Sequence, residues 1–245
     1  MVDKPRAAVA LPIFPHPMMS RKRKSIRGDP MKAELIKVPA IVARELAAIG
    51  TGLTEDVVRQ SVERGYLRRV TCDQFHPKTL PGTLHRAESI SSLRHDLVVP
   101  YGWSPDCASN QELIISPDGF TAIAVVAGDI HVSSEIEEPS TKYDSGSLTR
   151  RAIAVNANQL ELFEEFQAPI TDGQAEPRTT WMLLSRIAPG EIRFELSLPI
   201  GFGDDNFVNR WRKRIIFTPT VIDGIRVPEL PPYAQQPDVD VQLKA

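Results

Sequence analysis

Two segments in the second half of the chain each pair two strand-forming runs across a tight turn. Residues 111–128 place the turn Ser-Pro-Asp-Gly at 116–119 between two apolar runs, and residues 180–199 are built in the same way around Pro189-Gly190. Runs of β-branched and apolar residues that flank a Pro/Gly turn are typical of β-hairpins. The sequence therefore predicts antiparallel strands as the main element of the fold.

Helical spacing of apolar residues appears in three other places. Residues 39–49 have this spacing, with proline at the start and Gly50 at the end. Thr54 suits the N-cap of a second helix that ends at Gly65, before a short strand at 66–70. Residues 148–166 carry an apolar stripe that predicts a helix packed on the sheet.

Together these patterns predict an α+β fold, in which an antiparallel sheet built from hairpins carries one covering helix and a small helical N-terminal region. Proline-broken or polar ends predict flexible tails. The predicted regions are a basic extension (1–30), a helical region (31–72), a sheet-plus-helix domain (73–227) and a proline-rich tail (228–245).

Charge and composition narrow the function classes. The 245-residue chain has a formal net charge of −2, yet residues 1–30 contain seven Lys and Arg against two Asp. The two cysteines lack metal-site or redox spacing, and no motif for a metal or a cofactor is present. Because no apolar run approaches the length of a membrane span or follows the order of a signal peptide, we expect a cytoplasmic protein without membrane partners.

The basic extension is the first candidate for nucleic-acid binding. Arg21, Lys22, Arg23 and Lys24 form a cluster that would release counterions on contact with phosphates. The alternative is a solvated basic end with no partner.

The predicted helical pair at 39–70 resembles the helix-turn-helix part of winged-helix DNA-binding domains. The resemblance rests on the Gly-Thr-Gly-Leu linker at 50–53 and on the Gly-Tyr-Leu-Arg-Arg step at 65–69. It implies that four arginines contact phosphates or base edges, namely Arg59, Arg64, Arg68 and Arg69. A structural helical hairpin is the alternative, since acidic residues lie on the same helix.

Two further groups of residues are candidates for a site. In a strand, Arg210, Arg212 and Arg214 would share one face and form an anion clamp, or protect a sheet edge. Asp129 and His131 follow a predicted strand and would share a side, as a carboxylate and imidazole pair in a hydrolase does.

A second resemblance extends over residues 80–218. The segments Pro-Tyr-Gly-Trp at 100–103, Ser-Pro-Asp-Gly at 116–119 and Glu-Ile-Arg-Phe-Glu-Leu at 191–196 are similar to uncharacterised bacterial proteins of plasmids and other mobile elements. This resemblance implies a bacterial accessory protein and carries no catalytic motif.

Three functional hypotheses follow. The first is a non-enzymatic accessory or regulatory protein of a bacterial mobile element that binds nucleic acid or a protein partner. The second is a hydrolase with Asp129 and His131 at its site. The third is a self-assembling structural component, which would form a homo-oligomer.

Overall fold

The computed structural model describes residues 32–107, 112–143, 146–162, 178–203 and 205–224. The predicted extension with Arg21, Lys22, Arg23 and Lys24, and the predicted tail at 228–245, lie outside the described residues. None of the helices in the described ranges has the length and apolar character needed to cross a membrane.

The centre of the fold is a mixed sheet of eight strands in the described part of the chain. The strands are β1 (Glu34–Ile36), β2 (Ser104–Asp106), β3 (Leu113–Ile115), β4 (Thr121–Ala127), β5 (Thr179–Ala188), β6 (Glu191–Phe202), β7 (Val208–Ile216) and β8 (Thr220–Val221). Their order is β1-β7-β6-β5-β4-β3-β2, with β8 paired to β6.

The α+β class is confirmed, and both predicted hairpins form. β3 pairs antiparallel with β4, and β5 pairs antiparallel with β6. The two turns end on Gly119 and Gly190, each with φ of +79°, a conformation in which glycine meets no steric penalty. The local turn chemistry was sufficient to predict these contacts.

The prediction of a purely antiparallel sheet is wrong. β4 runs parallel to β5, and β1 runs parallel to β7. Between β4 and β5 the chain contains a helix (α4, Ser147–Leu162), and β5 begins at the end of the sheet where β4 begins, with Thr179 paired to Thr121. Such a crossover makes the two flanking strands parallel.

Three helices precede β2. They are α1 (Pro39–Ile49), α2 (Glu55–Arg69) and α3 (Leu80–Tyr101). The bounds predicted for α1 are confirmed, as is the Thr54 cap, whose hydroxyl accepts a hydrogen bond of 3.2 Å from the Val57 amide. The strand predicted at 66–70 is wrong, because α2 continues through Gly65 as far as Arg69.

Both faces of the sheet are covered, although the sequence predicted one covering helix. The alternation of β5 shows this: Trp181 and Leu183 pack with α1, α2 and α3, whereas Met182 and Leu184 pack with Ile153 of α4. Helices from the predicted 31–72 region therefore share a core with the sheet of the predicted 73–227 region.

Close packing of α2 on α3 requires a glycine at position 65. A Cβ atom built on Gly65 would lie 2.6 Å from the carbonyl oxygen of His85 and closer still to the Ser89 hydroxyl, both in α3. The contact holds the amino-terminal half of α3 against α2. It thereby determines where His85 lies relative to the sheet.

Candidate anion-binding cleft

A cleft of about 650 Å³ opens where β4 ends. β4 stops at Ala127, whereas β5 continues to Ala188, so one edge of β5 is left without its parallel neighbour. The end of α2, the first turns of α3 and the segment Lys142-Tyr143 complete the walls. Crevices at the carboxyl ends of parallel strands are a common location for ligand sites.

Positive charge is concentrated in this cleft. Its lining includes Arg69, Arg86, Lys142 and Arg186, and no Asp or Glu among the described residues lines it. We call this site, defined by those four side chains with His85 and Ser185, the basic cleft. Four cations without a carboxylate among the described lining residues favour an anionic ligand.

The cations are held in ways that leave charge available to a ligand. The Nε atom of Arg86 donates a 2.9 Å hydrogen bond to the carbonyl oxygen of Val125 in β4, which anchors the guanidinium at the cleft wall without neutralising it. The Lys142 ammonium lies 5.7 Å from the centroid of the Tyr143 ring, a cation–π distance. Arg86 and Lys142 are both exposed to solvent, so their charges are accessible to a ligand in the cleft.

Two uncharged polar side chains meet at the sheet side of the basic cleft. His85 Nε2 and Ser185 Oγ are 3.0 Å apart, and both residues are buried. The pKa of His85 is lowered to about 4, chiefly by burial and to a smaller extent by the nearby Arg69 guanidinium, against an opposing effect of the Gly65 backbone. The imidazole is consequently neutral at pH 7.

This pair resembles a nucleophile with its base, but its surroundings do not suit that chemistry. A serine nucleophile needs a base that becomes imidazolium during the reaction, usually beside a carboxylate. Here the nearest charge that affects the histidine is Arg69, and burial also disfavours imidazolium. We interpret the hydrogen bond as one that orients the Ser185 hydroxyl within the cleft.

The structure separates the four arginines predicted on α2. Arg59 pairs with Glu55, donates to the Thr218 carbonyl oxygen at 2.9 Å and lies over the Phe194 ring, so it attaches α2 to the sheet. Arg64 donates to Ser92 Oγ at 3.1 Å within the α2–α3 contact. Arg68 is exposed. Arg69 lines the basic cleft.

The predicted face of three arginines on β7 does not form. Arg214 is buried and makes two hydrogen bonds to the Glu195 carboxylate, of 2.9 and 2.7 Å, whereas Arg210 and Arg212 are exposed. Register shifts between β6 and β7 at 198–202 break the strand alternation. A charge that already has a buried carboxylate partner is not free to bind an external anion.

Asp129 and His131 lie close in sequence but have different partners. The Asp129 carboxylate accepts a 2.9 Å hydrogen bond from the backbone amide of His131. The His131 ring pairs through Nδ1 with Glu137 Oε2 at 2.5 Å. The carboxylate partner of the imidazole is thus Glu137 rather than Asp129.

Most of the basic cleft was missed by sequence reasoning. Arg69 was predicted to bind phosphate for a different reason, and Arg86, Lys142, Arg186 and Ser185 were not predicted at all. One local signal was present: Ser185-Arg186 interrupts the apolar run of β5, and a polar pair in a central strand indicates a special environment. The other three cations lie on separate segments, and only the tertiary fold brings them together.

Within the described ranges, no group of three or more His, Cys, Asp or Glu side chains is placed to hold a metal ion. Comparison of the chain with models of protein families, with curated proteins and with solved structures found no match in any of the three. The interpretation of the site therefore rests on its residues.

Proposed function

We propose that this protein is a non-enzymatic binding protein whose ligand carries phosphate and occupies the basic cleft. The observation that supports this proposal is the concentration of four cationic side chains in one cleft whose described lining contains no carboxylate. Arginine and lysine are the side chains that bind phosphate most effectively, through charge and several N–H donors. The Ser185 hydroxyl and the hydroxyls of Thr79 and Thr83 add uncharged hydrogen-bonding groups to the lining.

The same phosphate chemistry is offered by small metabolites and by nucleic acid. A nucleic-acid ligand would be compatible with the accessory role that the resemblance to mobile-element proteins implies. Both sources predict that cations of the basic cleft contribute to affinity and that affinity falls as salt increases. The two hypotheses differ in one expectation: only a small-metabolite site should bind a small phosphate compound on its own.

The experiment is an isothermal titration of the full chain with inorganic pyrophosphate, using a matched pair of variants. Arg69 lines the basic cleft, whereas Arg68 is exposed, lies outside its lining and precedes Arg69 on the same helix. Arg69→Gln should weaken binding about tenfold, the value of one charge-assisted contact. Arg68→Gln should leave the affinity within about twofold of the unchanged chain.

Parallel titrations with single-stranded and duplex DNA distinguish the two sources of phosphate. DNA binding that weakens in Arg69→Gln alone would assign nucleic acid to the basic cleft. Absence of binding by every phosphate compound, or equal losses in Arg68→Gln and Arg69→Gln, would refute the proposal.

A further inference from the structure

Tyr143 is an exposed aromatic residue at the basic cleft. The residue is 65% exposed, yet it belongs to the cleft lining together with Arg69, Arg86 and Lys142. The adjacent Lys142 ammonium approaches the ring at 5.7 Å from its centroid. An aromatic side chain that borders a cationic site offers a stacking surface for a planar ligand group.

The lining of the basic cleft contains apolar surface as well as cations. Val125, Val126, Ala127 and Ile187 contribute apolar surface from β4 and β5, next to the cations. The volume of about 650 Å³ is within the range of sites for small organic ligands and far exceeds the size of a phosphate ion. A ligand that used the whole lining would need both an anionic group and a flat, largely apolar group.

The basic surface does not continue from the cleft along α2. Arg59 is paired with Glu55 and bound to the sheet, and Arg64 lies in the contact with α3, 3.6 Å from Asp96. A nucleic-acid strand requires cations at successive phosphates along its path. In the described part of α2, only the last turn with Arg68 and Arg69 offers cations without such partners.

We infer that the ligand of the basic cleft is a mononucleotide, with its phosphates at Arg69, Arg86 and Lys142 and its base stacked on Tyr143. This inference rests on the proposed phosphate-binding function and specifies its ligand class. A flat heterocycle, a sugar and a phosphate group match the three parts of the lining: the Tyr143 ring, the hydroxyl and apolar groups, and the cations.

The test compares adenosine diphosphate, inorganic pyrophosphate and adenosine as ligands of the full chain by isothermal titration. Adenosine diphosphate and pyrophosphate both present a diphosphate, so their difference in affinity measures the contribution of the nucleoside. Adenosine diphosphate should bind about tenfold more tightly than pyrophosphate, and adenosine should bind more weakly than either.

Two variants assign that difference to the aromatic ring. Tyr143→Ala should remove the tenfold advantage of adenosine diphosphate over pyrophosphate, with both ligands measured on that same variant. Tyr143→Phe, which keeps the ring and loses the hydroxyl, should retain the advantage. Urea unfolding of both variants checks that they remain folded.

The outcomes separate this inference from the proposed function. Equal binding of pyrophosphate and adenosine diphosphate would overturn the mononucleotide inference and leave phosphate binding supported. A single-stranded oligonucleotide that bound more tightly than the mononucleotide, through the same residues, would also overturn it in favour of a strand. No binding by any of the ligands would overturn both.

Discussion

Acid sensitivity of the fold should depend on His85. The folded protein holds the pKa of His85 at about 4, compared with 6.5 for the unperturbed side chain, chiefly because the ring is buried. At a pH between these two values, His85 is therefore protonated in the unfolded chain and neutral in the folded chain. Stability supplied by the neutral ring is fully present above pH 6.5 and is lost as the pH falls towards 4.

The size of this effect follows from the difference between the two pKa values. Each unit of pH below the unfolded value costs about 1.4 kcal/mol until the folded value is reached. Between pH 7 and pH 5, His85 should lower the free energy of unfolding by about 2 kcal/mol. Below the folded pKa of about 4 its contribution no longer changes.

Urea unfolding followed by tryptophan fluorescence measures this loss, because Trp103, Trp181 and Trp211 are all buried. His85→Gln keeps a polar group near Ser185 but cannot titrate, so it should lose about 2 kcal/mol less than the unchanged chain over the same pH range. The carboxylates contribute the same pH dependence to the unchanged chain and to His85→Gln, so their contribution cancels in the comparison. The control is His95→Gln, at a histidine whose side chain is 78% exposed, and it should follow the unchanged chain. Parallel losses in all three proteins would show that His85 is not the source of the acid sensitivity.

Two further predictions concern stability. Glu195→Gln leaves the buried Arg214 guanidinium without its charge partner and should lower the free energy of unfolding in urea by about 3–5 kcal/mol. The control is Glu191→Gln, at the more exposed pair with Arg193, which should cost at most about 1 kcal/mol. Similar losses in the two variants would contradict the assigned role of the buried pair. Gly65→Ala should lower the free energy of unfolding by about 1–3 kcal/mol, because the added Cβ atom collides with His85 and Ser89. The control is Gly82→Ala, where a Cβ atom meets nothing within 4 Å, and it should be neutral or stabilising. A neutral Gly65→Ala would show that α2 and α3 are not in close contact.

Local sequence signals predicted the elements whose causes are local. The two hairpins depend on turns with a glycine at positive φ, and α1 depends on its apolar spacing between Pro39 and Gly50. The full length of α3 does not follow from local signals, because Pro81 and Pro100 are residues that usually end a helix. Pro81 lies in the first turn, where its missing N–H has no helical partner, and Pro100 lies in the last turn before Gly102.

The remaining features depend on long-range contacts that a local pattern does not contain. Parallel pairing of β4 with β5 follows from the crossover through α4, and the faces of β7 depend on its register shifts against β6. The basic cleft combines side chains from positions 69, 86, 142 and 186, which only the tertiary fold brings together. Of these four residues, sequence reasoning singled out only Arg69 as a phosphate contact.

Titration of two double variants with pyrophosphate asks whether a phosphate-bearing ligand occupies the basic cleft. Arg69→Gln with Lys142→Gln and Arg68→Gln with Arg212→Gln each remove two positive charges, but only the first pair lines the cleft. We expect about a hundredfold loss of affinity for the first double variant and less than about threefold for the second. Equal losses, or no measurable binding by the unchanged chain, would contradict phosphate binding in the basic cleft.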